Sequence, residues 1–382
     1  MTNYESICYL DCNASTPVEP DVIKIMLQYL EQNFGNPSSR THAYGRIANQ
    51  AVQKAREQVA AVVGADKDEV IFTSGATESN NLVIFGLAEA AEKQNKKHII
   101  STQIEHKAIL EPLQELEKRG FEITLLPPTT GGWVDPVELQ CALREDTFLV
   151  STMHVNNETG IIQPLEAYAD ILKGHQTYFH TDAAQGFGKE INALRNKRID
   201  LISVSGHKIY GPKGIGALIA RKRDYIRPPI NPIMLGGGQE RKIRPGTLAT
   251  HQIAGLGKAA DLALQDNNIR KEACLKIRTN ILNSFNSLSP IFHGDLKSQA
   301  PHVLNISFGN NDSEGIMLAL KDIAAISNGS ACNSAQYESS HVLTAMGLSD
   351  QHLASATRWS WCHQTHSLNL VAITNSLKAW GV

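Results

Sequence analysis

Apolar residues along this chain keep two different spacings, and the places where one gives way to the other predict its elements. Ala48 to Val63 carries apolar side chains at helical intervals and stops at Gly64, a residue suited to ending a helix. Shorter apolar runs read as buried strands: Glu69 to Phe72, His98 to Ser101, Phe148 to Met153, Thr177 to Asp182, and Leu201 to Val204. Helical and strand signals alternate from Pro20 to about residue 225, which argues for an α/β fold, a parallel sheet wrapped by helices. Arg221 to Pro232 is basic and proline-rich and marks an edge or connection. Beyond it, His251 to Leu264 and Ile269 to Leu288 read as helices, and Val303 to Phe308 and Ile323 to Ser327 as strands. A second, smaller domain is therefore expected to begin near residue 260.

Candidate chemistry collects where the predicted strands end. Leu201 to Val204 delivers Ser205, His207 and Lys208 into the glycine-rich stretch ending at Gly216. A lysine that condenses with an aldehyde must lose its proton, and burial with neighbouring positive charge favours that loss. A surface lysine followed by an ordinary glycine turn explains the same residues. Asp182 ends an earlier strand, and a carboxylate there can keep the pyridine nitrogen of pyridoxal phosphate protonated, as the ring needs in order to withdraw electrons. Gln185 follows at a spacing that lets its amide reach the ring's phenolic oxygen. The alternative is an aspartate capping a helix that starts at Ala183.

Phe72-Thr-Ser-Gly-Ala-Thr-Glu-Ser79 lies between a strand and the apolar-periodic run Asn80 to Ala91. Strand, glycine turn and helix start make a phosphate cradle, since the free N–H groups and positive dipole end of a helix hold an anion and Thr77 adds a hydroxyl. No Gly-Lys-Ser/Thr follows at the spacing of a nucleotide P-loop. The same residues also make an ordinary helix cap. His106, just after the strand from His98, can stack on a ring and move protons, or be structural. Asn157, within His154 to Gly160, can hold a carboxylate or the ring oxygen, or simply make a turn. In chain order, four strand ends bear a cradle, a histidine, an aspartate and a lysine, and ligands bind at the carboxyl edge of open parallel sheets.

On these segments the chain resembles the cysteine desulfurases, pyridoxal-phosphate enzymes of the class V aminotransferase superfamily, and is similar to the bacterial housekeeping type that supplies iron–sulfur assembly. The likeness also rests on Leu10-Asp-Cys-Asn-Ala-Ser-Thr-Pro17, Phe34-Gly-Asn-Pro-Ser-Ser39, Gly236-Gly-Gly-Gln-Glu-Arg241, Arg244-Pro-Gly-Thr247, Ser327-Asn-Gly-Ser-Ala-Cys332 and Arg358-Trp-Ser360. It implies fold type I of the pyridoxal-phosphate-dependent transferases. Residues 17–259 would form a large domain with a mostly parallel seven-stranded sheet, and 260–382 a smaller α+β domain carrying the cysteine loop, with 1–16 packed on the latter.

The resemblance also implies roles. Lys208 would bond the cofactor and act as general base, Asp182 would hold the pyridine nitrogen, Gln185 the phenolic oxygen, and His106 would stack on the ring and handle protons. Ala76, Thr77, Ser205 and His207 would bind phosphate, joined by Thr247 from the second subunit of a homodimer. Arg358 would grip the substrate carboxylate with Asn157 assisting, because a guanidinium fork suits a carboxylate. Cys332 would take sulfur from L-cysteine as a persulfide, release L-alanine, and pass the sulfur to an acceptor protein of iron–sulfur assembly, DNA phosphorothioation or transfer-RNA thiolation. Its surroundings are small, polar and turn-prone, as in a loop; a buried, incidental cysteine is the bland alternative. A selenocysteine lyase, an aminotransferase of the same superfamily and a non-enzymatic scaffold are the competing functions.

The likeness breaks in two places. Where the family continues Arg-Phe-Ser-Leu-Gly, this chain has Arg358-Trp-Ser-Trp-Cys362, which is expected to alter substrate fit or rate and makes Cys362 a second candidate sulfur carrier. The chain also stops at Val382, short of the tail that housekeeping members use to dock their scaffold, which points to a dedicated pathway.

Composition adds exclusions. A chain of 382 residues that is 42% hydrophobic buries a large core and suits two domains. A net charge of -2 gives no general attraction to nucleic acid or membrane. No apolar run reaches spanning length, and Met1 to Glu5 lacks a signal-peptide layout, so a cytoplasmic location is expected. The 6 cysteines show no Cys-x-x-Cys pair or neighbouring histidine pattern, so no metal site is expected. Cys8 and Cys12 read as packing residues, and free thiols suit a reducing compartment.

Overall fold

The computed structural model describes residues 7–309, 311–328 and 339–382. Its strands in chain order are β1 (Cys8–Tyr9), β2 (Val70–Thr73), β3 (His98–Thr102), β4 (Glu122–Leu126), β5 (Thr147–Met153) and β6 (Tyr178–Asp182). They continue with β7 (Leu201–Ser205), β8 (Gly216–Ala220), β9 (Ile291–Phe292), β10 (Val303–Ser307), β11 (Ala324–Ala325) and β12 (Thr357–Ser360). A seven-stranded sheet has the order β2-β8-β7-β6-β5-β3-β4. Only β8 runs against its neighbours; the other six strands share one direction, so their carboxyl ends lie along one edge.

Alternation within each strand feeds two cores, one on each face of the sheet. Val70 and Phe72, Ile100, Val150, Ile202 and Ile219 pack one way, with Val52 and Val59 of the helix Ala43–Val63 and Leu256 of the helix Thr250–Gln265. Ile71, Ile99, Leu149, Leu201 and Leu218 pack the other way, with Leu82 and Leu87 of the helix Ala76–Lys93 and Ile109 and Leu113 of the helix Lys107–Lys118. Burying one such side chain contributes about 1.5–3 kcal/mol. Gly64 ends its helix as expected, at φ 63°, its amide donating to the carbonyls of Ala60 and Ala61.

A third core gathers around the antiparallel sheet β12-β10-β9, with β1 beside β11 in a two-stranded parallel pair. Leu10, Phe285, Phe308, Trp359 and Trp361 are buried together there. The strand expected over Ile323 to Ser327 is split. Ala324 and Ala325 pair with β1, while Ser327 bridges to Arg358, so two neighbours share one short segment. No helix follows Asp182 directly; Ala183 to Gln185 form turns, which removes the helix-cap reading of that carboxylate.

In the segment expected to alter substrate fit or rate, Trp359 and Trp361 turn away from the cavity. Along β12 and its extension they alternate with Arg358, Ser360 and Cys362, and both indoles are fully buried in the third core. The Trp361 indole N–H donates to the Cys274 carbonyl at 3.0 Å. Among the described residues, no helix is long and apolar enough to cross a membrane, and no group of three or more His, Cys, Asp or Glu is placed to hold a metal ion.

Candidate active site

One cavity of about 500 Å³ opens at the carboxyl edge of the large sheet, with Arg358 of β12 in its lining. Its lining includes Ala76, Thr77, His106, Asn157, Asp182, Gln185, Ser205, His207, Lys208 and Arg358. These residues arrive from six places: the helix start after β2, the segments after β3 and β5, the ends of β6 and β7, and β12. Thr247 is not among them: it lies exposed, outside this cavity. Cys332 lies outside the described residues.

The cradle begins where β2 ends. Gly75 precedes the helix Ala76–Lys93, whose first amides have no carbonyl partner within the helix. The loop lies against β8 so closely that a Cβ built on Gly216 would meet the Gly75 Cα at 2.6 Å, so only glycine lets the two backbones approach. Ser205 ends β7, and His207 and Lys208 occupy the turn after it. Burial, followed by the charges of Lys208, Lys213 and Lys189, lowers the His207 imidazole to about 4, so it is neutral at pH 7. Glu78 also borders the cavity. Burial works to raise its pKa, but Arg244, bonded at 2.9 Å, and Ser74 hold it lowered.

Asp182 ends β6 and is buried. One oxygen accepts the Asn80 amide at 2.7 Å, the other the Ala184 N–H at 2.9 Å, and a carboxylate retains capacity for a further donor. Asn80 sits one turn into the cradle helix, so the cradle also steadies the aspartate. The Gln185 amide nitrogen donates to the Asn13 carbonyl at 2.9 Å while its oxygen has no protein partner. Lys208 Nζ donates to the carbonyls of Asn13 and Ala14. The His106 Nδ1 accepts the Ala108 N–H at 3.0 Å, fixing the ring at a helix start.

Arg358 is 4% exposed. Its guanidinium donates to Asp11 Oδ1 at 2.6 Å and to the Asn157 carbonyl at 3.2 Å, while its Nε has no protein partner. Its backbone N–H donates to Ser327 O at 2.6 Å and its carbonyl accepts from Ser327 N at 3.2 Å. Beyond the undescribed stretch, Ser340 Oγ donates to Glu158 Oε2 at 2.5 Å and His341 meets the Glu105 carbonyl at 2.8 Å. Both described ends of the segment that carries Cys332 are thus fastened beside the cavity.

The residues present fit pyridoxal phosphate. A neutral imidazole and unpaired helix amides suit the phosphate, an aspartate at a strand end suits the ring nitrogen, and a lysine suits the aldehyde. Gln185 Oε1, Asn80 Oδ1 and Asn13 Oδ1 are buried without protein partners, the signature of a polar cavity built around a polar guest.

Several supporting residues escaped the sequence reading. Asn13 binds Lys208 and Gln185 through its carbonyl, Asp11 holds Arg358, Asn80 holds Asp182, and Lys213 joins the lining. Asp11 and Asn13 belong to the motif from Leu10 to Pro17, so the signal was present without an assigned role.

The Aminotransferase class-V family profile matches residues 8–370. The chain is 47% identical over 356 residues to "Cysteine desulfurase IscS" of Vibrio cholerae serotype O1 strain O395, covering 92% of this chain and 87% of that protein. The solved structure of DndA from Streptomyces lividans superposes with a TM-score of 0.82 at 46% identity, covering 91% of this chain and 98% of that one. A structure of SspA in complex with cysteine gives 0.81 at 37% identity, covering 92% and 98%. On the profile match over residues 8–370 and this identity, the chain belongs to the class V aminotransferases, a family of pyridoxal-phosphate-dependent enzymes.

Proposed function

We propose that this protein is a cysteine desulfurase: it converts L-cysteine to L-alanine and keeps the sulfur as a persulfide on Cys332 for transfer to an acceptor protein. The observation that carries the reading is the reciprocal pair of backbone hydrogen bonds between Arg358 and Ser327, which ties the arginine we assign to the substrate carboxylate to the start of the cysteine-bearing segment. Similarity to an IscS, to DndA and to a cysteine-bound SspA supports the same substrate and sulfur chemistry.

Pyridoxal phosphate, when bound, supplies a protonated pyridine ring that draws electron density from the substrate's α-carbon. The chain's own residues do the rest. Ala76 and Thr77 offer N–H groups to the phosphate, with Ser205 and His207 beside them. Asp182 holds the proton on the ring nitrogen, and Gln185 reaches the phenolic oxygen. Arg358 grips the substrate carboxylate with a fork that a lysine lacks, and Asn157 assists. Lys208 Nζ takes the α-proton, and His106 handles protons on the ring face. The Cys332 thiolate then attacks the substrate sulfur: the carbon–sulfur bond breaks, a sulfur–sulfur bond forms, and a proton returned to the former Cβ completes alanine. Cysteine plus one thiol gives alanine plus one persulfide, with no outside oxidant.

We further propose that the working unit is a homodimer. Thr247 is exposed away from its own cavity, and Phe34, Tyr44, Ile226 and Leu235 stand out into solvent at 69%, 53%, 71% and 90% exposure. Such apolar surface calls for a partner. Light scattering is expected to give a dimer mass. Mixing Lys208→Ala and Thr247→Ala subunits is expected to restore one intact site per heterodimer.

Mass spectrometry of the Cys332 peptide after holoenzyme meets L-cysteine, with alanine measured in the same tube, tests the activity. A persulfide together with alanine is expected. Alanine that forms only with a keto acid would indicate an aminotransferase, and faster turnover of selenocysteine a lyase for that substrate. For the acceptor, pull-down against iron–sulfur scaffold, phosphorothioation and transfer-RNA thiolation partners decides among the three.

A further inference from the structure

Behind the cavity lies a cluster of nucleophilic side chains that the proposed reaction does not use. Cys12 and Cys362 are each 1% exposed and pack together against Tyr210, near enough for the Cys12 thiol to act on the Cys362 sulfur. The geometry is that of adjacent strands. Cys12 N donates to Ser360 O at 3.0 Å, Ser360 N to Leu10 O at 2.8 Å, and Asp11 bridges Ser360 in parallel. Past the Asp11–Ser360 bridge both segments leave strand geometry, so the two side chains meet against Tyr210 instead of following strand register; disulfides form between Cα atoms about 4.4–6.8 Å apart, within reach of two packed thiols on hydrogen-bonded neighbouring segments.

The surroundings favour reaction. Lys189 is a buried lysine whose Nζ meets His302 Nε2 at 3.3 Å and whose charge acts on Cys12, Cys274 and Cys362. The bond from Cys12, helped by Lys189 and Thr365 against the cost of burial, lowers the Cys362 thiol to about 7, while Cys12 is raised by the same bond. The Thr365 hydroxyl donates to the Cys362 sulfur at 3.7 Å. Cys274, which has no such donor, is pushed up to about 12 by burial. A surface cleft lined by Glu19, Arg270 and His363 ends one residue from Cys362, and the His363 ring stands edge-on to Tyr210 at 4.6 Å.

We infer that Cys12 and Cys362 form a redox site that closes into a disulfide on reaction with a small hydroperoxide, and that closure disturbs the catalytic cavity. The Cys362 thiolate attacks the peroxide oxygen, the O–O bond breaks, and sulfenic acid and water result. Cys12 then attacks that sulfur; the hydroxyl leaves as water with the Cys12 proton. Two thiols and one hydrogen peroxide give one disulfide and two waters. Cys12 is bonded to Asn13, whose carbonyl receives Lys208 and Gln185 and whose N–H donates to Ser360 Oγ at 2.9 Å. Drawing Cys12 toward Cys362 therefore shifts Asn13, which lines the cavity and whose carbonyl holds the Gln185 amide.

The test uses holoenzyme treated with hydrogen peroxide, alkylated and digested, first in a Cys332→Ser background so that the proposed sulfur carrier does not react. Peptides joined through Cys12 and Cys362, having lost two hydrogens and separated again by thiol reductant, are expected. Because this is read by mass, it stands apart from whether L-cysteine is the substrate. In the otherwise native enzyme, peroxide is expected to slow alanine formation on the order of tenfold more than in Cys12→Ser, with reductant restoring the difference. Cys362→Ala serves if Cys12→Ser does not fold. Separate alkylation of both cysteines after peroxide overturns the redox site. A linked pair with equal rate loss in the native enzyme and the variant overturns its link to the cavity.

Discussion

Lys208, Asp182 and Gln185 follow strands in the middle of a seven-stranded sheet, whereas Arg358 stands on a four-residue strand at the edge of a three-stranded one. The first wall is set by long-range pairing: β6 and β7 each have a neighbour on both sides, and every strand feeds two cores. The second wall is set by a few specific bonds, from Asp11, Asn157 and Ser327 to one arginine. The wall we assign to the cofactor is therefore prepared by the fold itself, while the wall we assign to the substrate depends on contacts that single substitutions can undo.

The largest expected effect separates the two walls' tasks. Lys208→Ala is expected to lower alanine formation on the order of 10⁴-fold or more, because base and cofactor bond are lost together. Its thermal melt should stay close to that of the native protein. Cys332→Ser should abolish persulfide yet keep the spectral response to added cysteine. A Lys208→Ala enzyme that still made alanine at a tenth of the native rate would dissolve the distinction.

The next effect concerns the sheet wall's stability. Glu240 is buried and pairs with Arg56, which also bonds the Val70 carbonyl, and it accepts the Phe72 N–H at 2.8 Å. Glu240→Ala strands a buried guanidinium and is expected to cost about 3–5 kcal/mol in a denaturant titration. Glu240, Arg241 and Lys242 all have positive φ, at 44°, 58° and 65°, so this ion pair also secures a left-handed run before Thr247.

Smaller still, Arg358→Lys is expected to lower kcat/KM for cysteine by about 10–100-fold, mostly through KM, as a charged hydrogen bond of about 1.5–3 kcal/mol is lost. A change in kcat alone would mean that the arginine does not hold the substrate carboxylate.

The smallest effect is one of pH. Burial pushes the Glu105 carboxyl up to about 8 from its ordinary 4.5. Between those values the folded state holds a proton that the unfolded state has released, so stability falls as pH rises from 4.5 to about 8. Glu105→Gln is expected to flatten that decline in melting temperature. His154 and His180 act oppositely: burial lowers them to about 4 and about 3, so their contribution is lost as pH falls below 6.5.

The legible parts of the fold were the regular ones. Strands buried on both faces are continuous apolar runs, and catalytic types stood at their ends, so Asp182, Lys208 and the Gly75 cradle could be read directly. What escaped was long-range. No local pattern says that Asn80 turns back to Asp182, or that the Asn13 carbonyl meets Lys208, residues separated by 195 positions. Nor does adjacency to Arg358 in sequence say which way the two tryptophans point; strand alternation turns both indoles away from the cavity.

That alternation has an evolutionary consequence. The indoles of Trp359 and Trp361 sit in the third core and fix the strand from which Arg358 projects. Selection for a well-filled core and selection for substrate grip therefore act on the same few residues. A core change at Trp361 would alter affinity without touching the cavity, giving this lineage a way to retune specificity while every catalytic group stays in place.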